Sequence, residues 1–383
     1  MKRTSRRLLI AACVIVGIVI LLSVAVRLIL TRDALMELVI PRLETAVGAE
    51  IQVGDIGVRF PFGFGVDIRD LSFQKSIPQG ETLTVGAERF VAKASLLSLI
   101  KKKPMIKSVD ISGGSLSISG GERADGAGIE GLLAELSMRP AGDGFLLNAD
   151  LAASTVRVPI KEGEPIILND LGFEGDMTLD AAYQSLHIEQ ATAVWGELVS
   201  FDISGDLSEL KTAQNVKLRI ASERIDLAPL IERIMMLGLI PDASRGEDKL
   251  IIRMVDGSIG LESSIEGSMR KPSSMAVSGR IGLQEVKAGH PALHEPVTVT
   301  GDVDFDMRGA RSENVRITFG SSSADIGFGV TLEGRKKIDA LRLTCGAELD
   351  LKDLVPSARR EALGMVGGSV TADVEFEGSP TEL

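Results

Sequence analysis

The chain has 383 residues, 44% hydrophobic and 25% charged, which supplies ample core material and excludes a disordered polypeptide. The net charge is −11 even though Lys2, Arg3, Arg6 and Arg7 cluster at the N-terminus, so the acidic remainder excludes nucleic acid as a partner and a broad electrostatic grip on anionic headgroups. The 41 glycines against 4% aromatics favour many short strands joined by tight turns.

Leu8 to Val26 carries no charge and is Leu/Ile/Val-rich, about the length that crosses a bilayer core. A cleavable signal peptide competes with that reading, with Ser23-Val24-Ala25 as its cleavage site, although its apolar region is usually only about 7–15 residues long. The flanking cations Lys2, Arg3, Arg6 and Arg7 set the topology: they keep the N-terminus cytoplasmic, and everything after residue 30 is exported. The expected organisation is a tail and transmembrane anchor over 1–30, an N-terminal α+β region over 31–140 and a repeated β region over 141–383 that is cut inside a repeat. Two cysteines, Cys13 in the apolar run and Cys345 in a strand-like run, provide no disulfide framework.

Thr31 to Val47 reads as a helix with Leu35, Leu38, Val39 and Leu43 near one face, Pro41 as a kink and Gly48 as the stop. From Ile51 the period becomes two, through Val53, Val66 and Ile68. Ser95 to Ile100 predicts a short helix closed by Lys101-Lys102-Lys103-Pro104, a charge run that suits a helix C-terminus. Val109, Ile111, Leu116 and Ile118 predict two short strands about a Gly113-Gly114 turn. Ile129 to Met138 predicts a further helix.

The remainder reads mostly as strands with unlike faces. Val297, Val299, Val303, Phe305 and Met307 point one way, with Gly301 in their row, and Thr298, Thr300, Asp302, Asp304 and Asp306 point the other. Val199, Phe201, Ile203 and Leu207 oppose Ser200, Asp202, Ser204 and Asp206. Val370, Ala372, Val374 and Phe376 oppose Thr371, Asp373, Glu375 and Glu377. Antiparallel pairing with one solvated face is the natural outcome.

These strands also repeat. A strand-like run beginning around Val194-Trp195-Gly196 closes at Ile225-Asp226-Leu227, and one around Thr318-Phe319-Gly320 closes at Leu349-Asp350-Leu351, each with a leucine three residues on. Gly257-Ser258-Ile259 through Gly267 is echoed by Gly368-Ser369-Val370 through Gly378. A fixed period marks one structural unit used twice. Two readings of the apolar faces stay open. They pack together in a sandwich core, or they line a rolled sheet that encloses something apolar.

The anchor, the segment from Leu43 to Ile56 with its Val47-Gly48-Ala49-Glu50-Ile51 step, and Ala87 to Ile118 with its helix, lysines, strand, glycine, strand order resemble the AsmA-like family of bacterial envelope proteins, which includes TamB-type proteins. The Ile225-Asp226-Leu227 and Leu349-Asp350-Leu351 elements fit the same pattern. The resemblance implies an inner-membrane anchor, a periplasmic β-rich groove with an apolar lumen, and a role in moving phospholipid towards the outer membrane or in keeping that membrane's composition. It brings no catalytic residues and no cofactor.

The chemistry-bearing residues are sparse. His290 and His294 stand four apart, but Pro291 and Pro296 oppose a helix there, and His187 reads as a strand surface residue. No serine elbow, zinc-protease motif or phosphate loop occurs. The lone Trp195 occupies the repeat position of Phe319 and reads as a packing residue. The expected protein is mainly β and not an enzyme: a transmembrane helix, then an elongated, rolled antiparallel sheet with a few short helices. Its acyl-chain groove is expected at Val199, Phe201, Ile203, Val297, Val299, Val303, Phe305, Met307, Phe319, Val370, Val374 and Phe376. Phospholipids, the inner membrane and an outer-membrane or periplasmic protein are its expected partners. The alternatives are a scaffold that receives outer-membrane proteins by β-augmentation and a structural tether with a dry core.

Overall fold

Strands follow wherever apolar and polar residues alternate. The computed structural model describes residues 32–59, 64–76, 81–94, 106–120, 127–159, 165–237, 254–271, 274–289, 295–333, 337–350 and 368–378. Among these the chain is mainly β, with an open antiparallel sheet of 18 strands and two short helices. It divides into two compact units, Met1–Thr178 and Leu179–Leu383.

The first unit opens with helix α1 (Arg32–Val47) and strands β1 (Ile51–Gln52) and β2 (Asp55–Arg59). Gly48 ends the helix as expected: its φ is +69°, a left-handed value that glycine reaches without a Cβ penalty, and its N–H donates to Glu44 O at 2.7 Å. Lys75 Nζ donates to the otherwise orphaned Val47 O at 2.6 Å, closing the last turn. Then come β3 (Phe64–Ser76), β4 (Thr82–Ala94), β5 (Ile106–Ser119), β6 (Ala127–Ala141), β7 (Gly144–Val158) and β8 (Ile166–Asp180), whose last two residues open the second unit. β1 and β2 both pair with β3, and antiparallel pairing continues from β3 to β7. The best-buried cluster of this unit is Ile56 and Ile68, at 3% and 1% exposure, with Met36 and Leu43 of α1 and Val53, Val58, Val66, Leu71 and Phe90 packed around them.

Two expectations fail in this unit. The Gly113-Gly114 turn is absent, because β5 runs unbroken through it. Gly113 takes φ +60° and the register against β6 shifts between Ile111 and Gly114, so the glycine forms a bulge instead of a reversal. The helix expected over Ile129 to Met138 is part of strand β6. Leu133 and Leu136 share a helical spacing, but on a strand they fall on opposite faces, 53% and 39% exposed. Gly131 at φ +64° and pairing to β5 and β7 on both edges override local propensity.

The second unit holds β9 (Leu186–Trp195), β10 (Val199–Ser208), β11 (Asn215–Asp226), helix α2 (Leu227–Met236), β12 (Met254–Ser268), β13 (Ala276–Gly289), β14 (Val297–Asp306), β15 (Gly309–Phe319), β16 (Ser322–Glu333), β17 (Lys337–Asp350) and β18 (Ser369–Gly378). Each strand is antiparallel to the next, a meander from β9 to β18.

The sequence repeat maps onto this meander. The β9–β10 hairpin corresponds to β15–β16, β11 to β17 and β12 to β18. Gly196 and Gly320 turn their hairpins with φ of +53° and +56°. One detail is corrected: Val194 and Trp195 end a strand and Gly196 begins the turn, so the run does not start there. A left-handed glycine at that position serves a reversal better than a strand interior.

The segment from Leu8 to Val26, the N-terminal cations, the Ser95–Ile100 helix, Lys101 to Lys103, His290, His294 and residues 351–367 lie outside the described residues. No helix among the described residues is long and apolar enough to cross a membrane.

Candidate functional site: an apolar face backed by a charged one

The candidate residues converge on one face of the second unit. Register decides this, because directly paired residues on neighbouring strands present their side chains to the same side. One row reads Ser263, Gly279, Phe305, Ala310, Val330 and Leu341 from β12 to β17. Val299 is opposed by Val286 and Ile317, and Val303 by Ile281. Ile203 opposes Ile220, and Phe201 lies two residues before it on the same side. Cys345 opposes Ile326 and Val374, Leu343 opposes Phe328 and Phe376, and Leu349 opposes Val370.

Thus Val199, Phe201 and Ile203 on β10, Val297, Val299, Val303 and Phe305 on β14, Phe319 on β15, and Val370, Val374 and Phe376 on β18 belong to a single apolar surface. Met307 does not continue β14; it sits in the β14–β15 turn. The reason is the tight closure of that hairpin, in which Asp306 already opposes Gly309 and Asp306 Oδ1 accepts the Arg308 N–H at 2.6 Å. Sequence reasoning missed Ile220, Ile281, Phe328 and Leu343. Their own strands alternate well enough to flag them, but only register makes them neighbours of the others.

This face is half-buried. Among the candidates only Val199 is buried, at 6% exposure, while Val370 and Val374 are 44% and 54% exposed. The only described helix of this unit, α2, rests against β11 and β12, has no buried residue and leaves Met235 and Met236 exposed. Phe305 lies across Gly279. A Cβ there would come within 2.8 Å of the ring's Cζ, so the glycine makes room for the aromatic.

The opposite face is charged. In the neighbouring row Glu262 opposes Arg280, Arg280 opposes Asp304, Asp304 opposes Arg311, and Arg342 opposes Glu377. Arg280 Nε donates to Asp304 Oδ1 at 2.8 Å, and Arg316 Nε and Nη2 donate to Asp325 at 2.7 and 3.0 Å. These hydrogen bonds from guanidinium groups hold both carboxyls below the usual carboxylate range. Arg219 bonds Glu262, and His187 Nδ1 lies 2.7 Å from Asp206 Oδ1. His187 is therefore a paired strand surface residue.

No set of three or more His, Cys, Asp or Glu that could hold a metal occurs among the described residues. The arrangement lends itself to binding along an apolar surface. Comparison with family models, with curated proteins and with solved structures gave no match to this chain.

Proposed function

We propose that this chain is a non-enzymatic, membrane-anchored envelope protein that binds the acyl chains of phospholipid along the apolar face of its second unit. One observation carries the reading: register gathers the apolar candidates onto one continuous surface that the described residues leave half-exposed. Exposed apolar patches of this extent mark binding surfaces. Each methylene removed from water contributes about 0.8 kcal/mol, so a lipid tail gains by lying there. In this reading the sheet rolls into a groove, tails slide along Val299, Val303, Phe305 and their neighbours, and headgroups remain in water.

The apolar run Leu8 to Val26 behind its cations supports an anchor with a cytoplasmic N-terminus. On that topology the protein sits in a bacterial inner membrane with its bulk in the periplasm. It supports lipid transport to the outer membrane or the upkeep of that membrane's composition. A photo-crosslinking amino acid at position 305 in the full chain should capture phospholipid in cells. Capture of polypeptide alone would overturn the reading and favour β-augmentation of a protein client.

A further inference from the structure

We propose that the β14–β15 end of the second unit is a binding site for a phosphate group, formed by Arg308 and Arg311 and suited to a lipid headgroup whose tail lies on the adjoining apolar face. The inference rests on the acyl-chain reading above.

An open hollow of about 630 Å³ lies at this end, and its lining brings Arg308 and Arg311 together with Phe305, Ala310 and Val330. That volume falls within the roughly 300–1,000 Å³ typical of small-molecule sites, so it has room for more than a bare phosphate. Across the charged face, Arg219, Arg280, Arg316 and Arg342 are each held by a carboxylate. Arg308 and Arg311 make no ion pair among the described residues.

Register gives Arg311 a local reason for this. Arg311 opposes Asp304 in register and acts on it electrostatically, but the side-chain hydrogen bond that Asp304 accepts comes from Arg280. Arg308 spends its backbone N–H on Asp306 Oδ1 in the turn, and its side chain is left exposed. Asp304 and Asp306 also line the hollow. The lining of the hollow thus holds two arginines and two aspartates, and its distinction is that neither arginine has an ion pair among the described residues. A planar guanidinium offers paired donors to two phosphate oxygens, which a lysine cannot match. Arg311 belongs to the charged face and Phe305 to the apolar one, and the hollow at the end of the hairpin is lined by residues of both.

The test measures binding of fluorescent phosphatidylglycerol and of diacylglycerol with the same chains to the full-length protein in neutral detergent. Inorganic phosphate serves as a third probe. Wild type should prefer phosphatidylglycerol, and R308Q/R311Q should lose about tenfold or more of that preference while still binding diacylglycerol. R308K/R311K should recover part of it. Equal binding of the two lipids by wild type, or an unchanged preference in R308Q/R311Q, overturns the headgroup site and leaves the acyl-chain face standing. Failure of wild type to bind either lipid overturns both. If inorganic phosphate binds with the same arginine dependence while the lipids are not distinguished, the site is one for soluble phosphate and the headgroup assignment falls.

Discussion

Helices α1 and α2 lie on the same kind of surface with different results. In the first unit α1 lays Met36 and Leu43 over Ile56 and Ile68, and those two isoleucines are 3% and 1% exposed. In the second unit α2 rests on β11 and β12 with no residue buried, and the apolar face that holds Phe305 and Val374 is only half-covered. The strands of both units alternate apolar and polar residues. A covered stripe becomes a core, whereas an uncovered one keeps its affinity for apolar matter and is available for binding.

The contrast can be broken by truncation. Ile68→Ala should cost about 2–5 kcal/mol in denaturant unfolding, the range for emptying a well-packed core site. Val374→Ala, at 54% exposure, should fall within about 0.5 kcal/mol of wild type. Equal losses at the two positions would mean that the apolar face is as well packed as the α1 cluster.

Gly301→Ala should come next, at roughly 1–3 kcal/mol in the same unfolding assay. Its φ is +135° and a Cβ would sit 2.8 Å from Val315 Cα, so both backbone conformation and strand approach resist a side chain. Phe305→Asp should leave the far-ultraviolet circular dichroism unchanged and abolish lipid capture from a crosslinker at position 303. Loss of strand signal would show that Phe305 holds the sheet together and is no free surface.

The smallest effect lies on the charged face. The guanidinium partners lower the carboxyl pKa of Asp304 and Asp325 in the folded state. Their contribution is present above the ordinary carboxylate pKa and is lost as pH falls through the folded values. Both pairs are solvent-exposed, so the loss is small. Unfolding midpoints measured across that acidic window should drop slightly less in D304N/D325N than in wild type.

The alternating residues of β10, β14 and β18 carried enough information to assign strands and to separate apolar from polar faces, because the two-residue period is a property of the strand alone. Gly48 likewise announced the end of α1, since only a residue free of Cβ strain closes a helix that way. The same local logic failed at Gly113 and at Ile129 to Met138. Whether a glycine turns the chain or bulges within a strand, and whether leucines three apart form a helix, depends on the strands that pair on either side.

What the amino-acid order determined by itself was the kind of element, the two unlike faces and the internal repeat. Tertiary structure decided which rows met. Pairing register is set between segments distant in the chain, and it placed Val303 against Ile281 and Cys345 against Val374. It also gave the Asp304 hydrogen bond to Arg280 and so left Arg311 without an ion pair among the described residues, a consequence of three strands meeting that no single strand encodes.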